Sequence, residues 1–491
     1  MNKIATLGAA VVIVVGVAAI GGAWYTGTRI EPLLNEQVAN INQQLAPALA
    51  GQGLSANVAL VSFERHVFSS EAHYVVTVQS PDLNGGAPAA LNVAEHIEHG
   101  PFPWSRLKAL DVLPVMASSQ FTLQRSGELQ PWFDLTHGAV PISGQATLGY
   151  DQAVNASLQV LPLRWADPRG TLAFSGLNAH VEGNAEGKKL QVTAALDHLD
   201  ALLHGPEGDA HLQLQGVTLK SGGLKGQSGF YLGTSEVQAA SGLLALPNEP
   251  AVALEGFLGV GSLEEIDGKL KGSTDYTLAS LQVGGKPIGS LQMRWVIDRF
   301  DAAATQELIT LYQNKLQPQA QAAAEAGVPF TPQLSPADQL LVQASALRLL
   351  AGQPHIALEN VGLKTANGES HFSLALDLAK PADLNQPAEQ LLQQMIQRLD
   401  AKLAVSTLSL KDLATVQGQL QGQTDAAILA RNAEGAANLA ATLATLQGVG
   451  RVEGNDIRSD LHYENGVVDF NGQKMTPEAF VQFMAAKVGR G

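Results

Sequence analysis

The sequence predicts a mainly β protein with α insertions, built as one or more long, curved antiparallel sheets after one N-terminal transmembrane helix. Three observations support this α+β prediction. An uncharged apolar stretch opens the chain, apolar and polar residues alternate over much of the region after Val58, and 49 glycines among 491 residues provide turns between short segments. Aromatic residues make up only 5% and charged residues 15%, which is typical of neither a disordered tail nor a dense enzyme core.

The stretch Ile4–Tyr25 predicts a membrane anchor. It contains no charged residue, and as a helix it would span roughly 33 Å, enough for a hydrocarbon core of about 30 Å. Trp24 and Tyr25 stand where interfacial aromatic residues are common. The small residues Gly21–Ala23 leave a cleaved signal peptide as the alternative, although the apolar run exceeds an ordinary secretory core.

The flanking charges predict the topology. Lys3 and the amino terminus precede the stretch, and Arg29 is the only basic residue after it before Arg65. This small bias places the N-terminus inside, so we expect a single-pass protein of the bacterial inner membrane with most of the chain in the periplasm. The absence of cysteine agrees with an oxidising compartment.

We expect four regions. Residues 1–28 form the signal anchor, residues 29–300 an N-terminal helix followed by antiparallel β structure, residues 301–352 a helical region, and residues 353–491 a C-terminal α+β region that completes the sheet. In the first helix, Ile30, Leu34, Val38 and Ile41 form an apolar stripe. The stripe predicts a helix that packs on the following domain, or alternatively a stalk or partner helix.

Strand signals follow the first helix. Alternation predicts strands at Val58–Glu64 and Glu71–Gln79, joined by a Ser-Ser turn, and further strands at Leu190–Asp197 and His211–Leu219. Each of these strands has one apolar face. A sheet of this length must close, pair with another layer, or leave an apolar face for something else to cover.

Helix signals interrupt the second half. Asp301–Leu316 and Pro387–Leu399 have apolar residues at helical spacing, and Ser335 followed by Pro336 predicts an N-cap for a helix that ends at Gly352. Near the C-terminus, Asn465-Gly466 predicts a tight hairpin that pairs Tyr463 with Val468 and Leu461 with Phe470. His462, Glu464 and Asp469 would then face water.

The sequence offers one weak metal candidate. His96 and His99 are three residues apart and would share a face of a helix, which two imidazole ligands require. No third ligand is evident, Pro101 and Pro103 would end such a helix, and no H-E-x-x-H motif is present. A structural role beside the turn Gly100–Trp104 is the favoured interpretation.

Several segments resemble the YdgA family of proteobacterial envelope proteins. They are GGAWYTG at Gly21–Gly27, FERHVFSSEAHY at Phe63–Tyr74 and IEHGPFPWSRL at Ile97–Leu107, with weaker similarity in GELQPWFDLTHGAVPISG and LHYENGVVDFNGQKM. HGPFP is the most specific of these elements. His66 departs from the glycine expected within FERHVFSS. The resemblance implies an inner-membrane and periplasmic protein of a family without an established function, and it assigns no catalytic residue.

Charge and motifs exclude several functions. A net charge of −15 repels phosphate backbones, so nucleic acid is not an expected partner. The chain lacks a nucleophile elbow, a Walker motif and a dinucleotide fingerprint, so we expect neither an enzyme nor a cofactor. Two functions remain: binding of lipid or another hydrophobic cargo, including an unfolded envelope protein, in the cell envelope, or an interaction scaffold without a ligand. A groove lined by apolar residues would favour cargo binding, and a filled interior would favour the scaffold.

Overall fold

The fold is mainly β, with long antiparallel sheets and helical insertions, as the sequence predicts. A computed structural model of the chain describes residues 34–35, 38–39, 41–42, 49, 55–79, 87–127, 129–382 and 386–488. The chain forms two compact units whose segments alternate along the sequence. Unit 1 comprises residues 1–205, 215–233 and 309–339, and unit 2 comprises residues 206–214, 234–308 and 340–491.

The described strands are numbered in chain order. They are β1 (Ser55–Arg65), β2 (Ser69–Gln79), β3 (Ala89–His99), β4 (Ala117–Leu123), β5 (Ile142–Leu148), β6 (Ala153–Val160), β7 (Leu163–Asp167), β8 (Gly170–Phe174), β9 (Leu177–Asn184), β10 (Lys189–Gly205), β11 (Gly208–Lys225), β12 (Tyr231–Ala245), β13 (Val252–Ile266), β14 (Lys269–Val283), β15 (Lys286–Asp301), β16 (His355–Lys364), β17 (Glu369–Leu378), β18 (Ile396–Ser406), β19 (Arg451–Glu453), β20 (Asp456–Glu464), β21 (Val467–Phe470) and β22 (Gln473–Met475).

The helices whose bounds are described are also numbered in chain order. They are α1 (Trp104–Lys108), α2 (Gln130–Leu135), α3 (Ala302–Leu311), which continues as one π-helical turn (Tyr312–Leu316), α4 (Gln317–Glu325), α5 (Pro336–Ala351), α6 (Ala388–Met395), α7 (Thr407–Leu420), α8 (Ala426–Leu446) and α9 (Pro477–Val488).

Unit 1 contains an antiparallel sheet in the order β1-β2-β3-β4-β5-β6-β9-β10, with β8 pairing the second half of β10 and β7 pairing β8. Side chains alternate between its faces, and one face is apolar and buried. That face carries the largest described core cluster, which includes Val76, Leu91, Phe121, Leu158 and Phe133 of α2.

The predicted first helix packs on this buried face. Leu34, Val38 and Ile41 are helical among the described residues, and Leu34 and Leu49 are buried against the sheet. The Asn42 side chain hydrogen-bonds both the amide and the carbonyl of Val58 at 2.8 Å. The interpretation as a packing helix is therefore confirmed for the described part of the segment.

Unit 2 contains antiparallel strands paired in the order β13-β14-β15-β16-β17-β18-β20-β21-β22, with β19 on β20. Register shifts interrupt the pairing of β14 with β15 and of β16 with β17. Such bulges increase local twist and bend a strand. Helices α7 and α8 pack against each other through Val416, Leu429, Ala433 and Ala437, which are all buried.

Most local predictions are confirmed. The Asn465-Gly466 hairpin joins β20 and β21, and its register pairs Tyr463 with Val468 and Leu461 with Phe470. Ser335 caps α5, because the Asp338 amide donates to its hydroxyl at 3.1 Å. Leu190–Asp197 lies in β10 and His211–Leu219 in β11.

Other local predictions need correction. The Ser69-Ser70 pair belongs to β2, and the turn lies one step earlier at His66–Phe68, because the Ser69 carbonyl accepts from the His66 amide at 2.8 Å. The helix predicted at Pro387–Leu399 ends at Met395; Leu399 lies in β18, opposite Tyr463 and Leu376. His462 and Glu464 do face water, with side chains 43% and 51% exposed, and His462 in addition pairs with Asp400 at 2.7 Å.

The predicted anchor, Ile4–Tyr25, lies outside the described residues. Among the described residues, no helix combines the length and apolarity needed to cross a bilayer. The predicted region bounds at residues 29–300, 301–352 and 353–491 stay a prediction, although α3, α4 and α5 all fall between residues 301 and 352.

Candidate functional site

The most distinctive surface of unit 2 is an apolar face of its sheet that its helices leave partly open. Strand register places apolar residues of β14–β18 in adjacent rows across the sheet. We call this set the open apolar face; it comprises Tyr276, Leu278, Leu291, Met293, Trp295, Leu358, Val361, Phe372, Leu374 and Leu403. With strands about 4.8 Å apart and same-face neighbours about 6.7 Å apart along a strand, it measures about 19 Å across the strands and about 13 Å along them.

The register shows how one face collects these side chains. Met293 of β15 stands opposite Tyr276 on one neighbour and Val361 on the other, and Val361 stands opposite Phe372. The next row joins Trp295, Leu358 and Leu374 in the same way. The bulge in β16 removes Glu359 from the row, so the apolar alternation continues on the same face.

None of these residues is fully buried. Tyr276, Leu291, Trp295 and Leu403 are between 37% and 40% exposed, and the other members are half-buried. Apolar side chains at the centre of a wide sheet are ordinarily buried, and contiguous exposed apolar surface marks interaction sites. The open apolar face is therefore the candidate functional site of this chain.

The opposite face of the same strands is polar. Arg294 forms ion pairs with Asp275 at 3.2 Å and with Glu359 at 2.9 Å. At the far end of these strands, Asp377 binds Arg299 at 2.7 Å and His355 at 2.9 Å. The two faces therefore differ in charge: the members of the open apolar face are uncharged, whereas the opposite face carries ion pairs.

Helices close the side of the open apolar face next to β20 and β21. Tyr463, Val468 and Phe470 are buried there under α9, whose Phe480 and Phe483 rings lie 5.3 and 5.8 Å from the Phe470 ring. Tyr463 also donates to the Gln393 carbonyl of α6 at 3.2 Å. The apolar rows thus continue under α9 at one side and are uncovered over β14–β18.

Helix α7 fixes a second boundary at the turn end of these strands. Asp412 accepts hydrogen bonds from Thr365 at 2.7 Å and from the Asn367 amide and side chain at 2.8 and 2.7 Å, which ties α7 to the β16–β17 turn. At its other end, Leu420 lies against Gly284 in the β14–β15 turn, where a Cβ would approach the leucine to 2.5 Å. The helix therefore runs along the end of the sheet.

Unit 1 offers a different surface. Its apolar face is filled, and its opposite face bears a cleft of about 760 Å³ whose lining combines hydroxyl and carboxamide side chains with apolar residues such as Leu158 and Leu219. Register places Gln120, Gln145, Ser157 and His180 in one row along this cleft. This mixed lining differs from the apolar side chains of the site in unit 2.

Among the described residues of unit 1, one carboxyl group lies on the buried apolar side. Glu95 is buried on β3, in register with Ala72 and Phe121. The Tyr74 hydroxyl donates to it at 2.8 Å, and Ser119 is a further hydrogen-bond partner. Burial raises the pKa of the Glu95 carboxyl, although both hydrogen bonds oppose that shift, and burial beside this carboxyl raises the pKa of Tyr74.

The two histidines considered for metal binding do not meet. They lie on strand β3 rather than on a helix, and residues three apart on a strand point to opposite faces. His96 pairs with Glu71, whereas His99 contacts the Ser70 hydroxyl at 3.0 Å. Burial lowers the pKa of His99. Among the residues that the structure describes, no group of three potential ligands comes together around a metal position.

Sequence reasoning missed the residues of the open apolar face, although their alternation was visible. Leu291, Met293 and Trp295 alternate with Gln292 and Arg294, and Phe372, Leu374 and Leu376 alternate with Ser373 and Ala375. This period identifies one-sided strands. It does not reveal which strands pair, so it could not show that the apolar sides form one uncovered surface.

Comparison with known proteins places the chain in a family. Residues 1–478 match the family described as bacterial protein of unknown function (DUF945). The chain belongs to this family. It is 30% identical to Protein YdgA of Escherichia coli K12, over 99% of this chain and 97% of that protein. The resemblance drawn from HGPFP and the flanking segments is thereby confirmed.

Two further relatives are more distant. The uncharacterized protein YihF of Escherichia coli K12 is 24% identical over 96% of this chain and 97% of its own length. An uncharacterized protein of Haemophilus influenzae is 20% identical over 61% of this chain and 83% of its own length. No solved structure matches the chain.

Proposed function

We propose that this protein is anchored in the bacterial inner membrane and binds the acyl chain of a lipid on the open apolar face of unit 2. The observation that carries the proposal is the exposure of 37% to 40% at Tyr276, Leu291, Trp295 and Leu403, in the middle of a wide sheet. Covering such side chains contributes roughly 25 cal/mol for each Å² of apolar surface removed from water.

The chemistry of the face favours an acyl chain over an unfolded polypeptide. The backbone amides and carbonyls beneath the face are already paired in the β ladder. A polypeptide would bring its own amide and carbonyl groups onto a surface that offers them no partners, and burying such groups unpaired costs free energy. An acyl chain carries no polar groups along its length, so it can cover the apolar side chains without burying unpaired polar groups.

The lack of basic residues on the face predicts how binding depends on the lipid headgroup. The members of the open apolar face include no basic residue, and the whole chain has a net charge of −15. Nothing in this face would attract an anionic headgroup, so affinity should depend on chain length more than on headgroup charge.

The proposed location is the periplasmic side of the inner membrane. It is supported by the uncharged stretch Ile4–Tyr25, by the position of Lys3 before it and by the absence of cysteine. An interaction scaffold without a ligand is the alternative, and lipid content distinguishes the two.

A charge placed on the open apolar face tests the proposal. Leu291→Glu should reduce the lipid that co-purifies with the full chain by about 10-fold, because a carboxylate must lose its hydration when an acyl chain covers it. Lipid is extracted from detergent-purified protein and quantified by mass spectrometry.

Val260→Glu is the matched control. Val260 is 38% exposed, close to the 37% of Leu291, but it stands opposite Asp275 on the polar face of the same sheet. We expect this variant to retain its lipid. Equal lipid content in both variants, or no lipid in the unmodified protein, would favour the scaffold.

A further inference from the structure

A second exposed apolar surface lies at one end of unit 1 and is independent of the open apolar face. We call it the apolar tip; its residues come from the β1–β2 turn and from the segment between β3 and β4, and they are Val67, Phe68, Phe102, Trp104, Leu110, Val112 and Leu113. Each is between 54% and 86% exposed. Seven large apolar side chains so exposed at one end of a sheet form a surface that requires a partner.

One hydrogen bond joins the two segments of the apolar tip, and a second lies within the segment between β3 and β4. The His99 amide donates to the Phe68 carbonyl at 2.8 Å, and the Val115 amide donates to the Pro101 carbonyl at 3.0 Å. Gly100 permits the close approach, because a Cβ there would lie 1.9 Å from the Val115 carbonyl oxygen. The tip is therefore a built structure that holds its side chains outward.

Helix α1 within the tip is also fixed. The Glu98 carboxylate accepts hydrogen bonds from both the amide and the hydroxyl of Ser105. Arg106 pairs with Asp111 at 2.7 Å. These contacts orient Trp104 at the start of the helix, with the Lys108 ammonium 5.5 Å from its ring.

The course of the first helix places the tip near the proposed anchor. Leu34 belongs to one cluster with Phe63 and Ala72, which lie within three residues of the tip ends of β1 and β2. Asn42 then bonds Val58, farther from the tip. The chain therefore enters unit 1 at the tip end.

Sequence length limits how far the tip can be from the anchor. Leu34 lies nine positions after Tyr25, and nine residue steps span between roughly 14 Å as a helix and 30 Å when extended. From Ala72, four strand residues carry β2 and its turn back to Phe68, about 13 Å. Both distances are compatible with a tip at the bilayer surface.

The charge of the tip fits a lipid headgroup layer. Arg65, Arg106 and Lys108 flank the apolar side chains, and the acidic residues of residues 64–69 and 98–116 are Glu64, Glu98 and Asp111. The tip is therefore balanced in charge, in contrast with the net charge of −15 of the whole chain. Aromatic residues with neighbouring lysine and arginine are typical of membrane interfaces, where the ring is buried and the cation reaches the headgroups.

We propose that the apolar tip inserts into the boundary between headgroups and acyl chains of the bilayer in which the chain is anchored. The proposal rests on the proposed anchoring by Ile4–Tyr25, but not on lipid binding by unit 2. Insertion would hold unit 1 against the membrane at two points, the anchor and the tip.

Site-specific labelling of the full chain tests this insertion. The natural sequence contains no cysteine, so Phe68→Cys provides a single attachment site for an environment-sensitive fluorophore on the tip. Ala139→Cys provides the control, because Ala139 is exposed and precedes β5 at the opposite end of the sheet. Both proteins are reconstituted into vesicles of phosphatidylethanolamine and phosphatidylglycerol, with and without a lipid that carries a nitroxide at a shallow acyl position.

The expected result is a blue-shifted emission at position 68 that the nitroxide quenches several-fold more than at position 139. Equal, weak quenching at both positions would overturn the proposal. A blue shift at position 68 without quenching would also overturn it, because the tip would then contact protein rather than lipid. Loss of lipid binding by Leu291→Glu leaves these outcomes unchanged, so the two proposals fail separately.

Discussion

Burial of Glu95 in unit 1 makes the stability of the folded protein depend on pH. Its carboxyl group lies among core residues of the sheet, where the charged form is disfavoured, and its pKa is raised by burial. Because its pKa in the folded state exceeds the unfolded value of about 4.3, the folded state binds this proton more tightly. Its contribution to stability is complete below that unfolded pKa and is lost as the pH rises through the folded pKa.

Glu95→Gln should therefore flatten the pH dependence of stability. The amide oxygen can still accept from Tyr74, but the side chain cannot ionise. As the pH rises above the unfolded value of about 4.3, the free energy of unfolding should fall less in the variant than in the unmodified protein, because only the unmodified protein loses the stabilisation of its bound proton. Urea denaturation at a series of pH values measures this, and parallel curves for both proteins would contradict the assignment.

At the scale of elements, helix α7 depends on one carboxylate. Asp412 holds Thr365 and Asn367 through three hydrogen bonds, and Thr365 is buried beside Ser409. Asp412→Ala removes all three hydrogen bonds and leaves the Thr365 hydroxyl only the Gly368 carbonyl and the Ser409 hydroxyl, which should cost about 1 to 3 kcal/mol of unfolding free energy.

The neighbouring Lys411→Ala provides the control for this prediction. Lys411 forms only an exposed ion pair with Glu434 at 3.4 Å, so its loss should change stability by less than about 0.5 kcal/mol. Chemical denaturation of both variants measures the difference. Similar losses for the two would mean that Asp412 does not fix α7 to the turn.

Turn signals in the sequence predicted the hairpin that contains them, whereas strand pairing determined which element Leu399 belongs to. Asn465-Gly466 predicted a hairpin and its register because a two-residue type I′ turn requires a left-handed backbone at both residues, which have φ of 51° and 76°. Leu399 was assigned to a helix because its spacing from Met395 is helical, yet pairing with Leu376 and Tyr463 places it in β18. Tertiary pairing overrides local spacing in such cases.

Helices α7 and α8 were not predicted from the sequence. Gly418 interrupts α7, and Gly435 together with many alanines weakens the apolar stripe of α8. Two of the four buried residues between them, Ala433 and Ala437, are small, which permits close packing without a strong periodic signal. The candidate site was missed for a related reason, because it depends on which strands are neighbours and on what their helices leave uncovered.

For the whole molecule, the two units differ in how far their apolar strand faces are covered. Unit 1 fills its apolar face with the first helix and α2, whereas unit 2 buries its apolar rows at β20 and β21 and leaves those of β14–β18 partly exposed. Similar sets of one-sided strands therefore produce one filled layer and one partly uncovered face.

The most direct test of acyl-chain binding maps where the chain lies. A phospholipid with a photoreactive group at the end of its acyl chain is incorporated into membranes that contain the full-length protein, irradiated, and the adducts are located by peptide mass spectrometry. We predict adducts in the strands that carry Leu291, Trp295, Phe372 and Leu374. Adducts confined to the N-terminal stretch and the apolar tip, with none in unit 2, would contradict the proposed function.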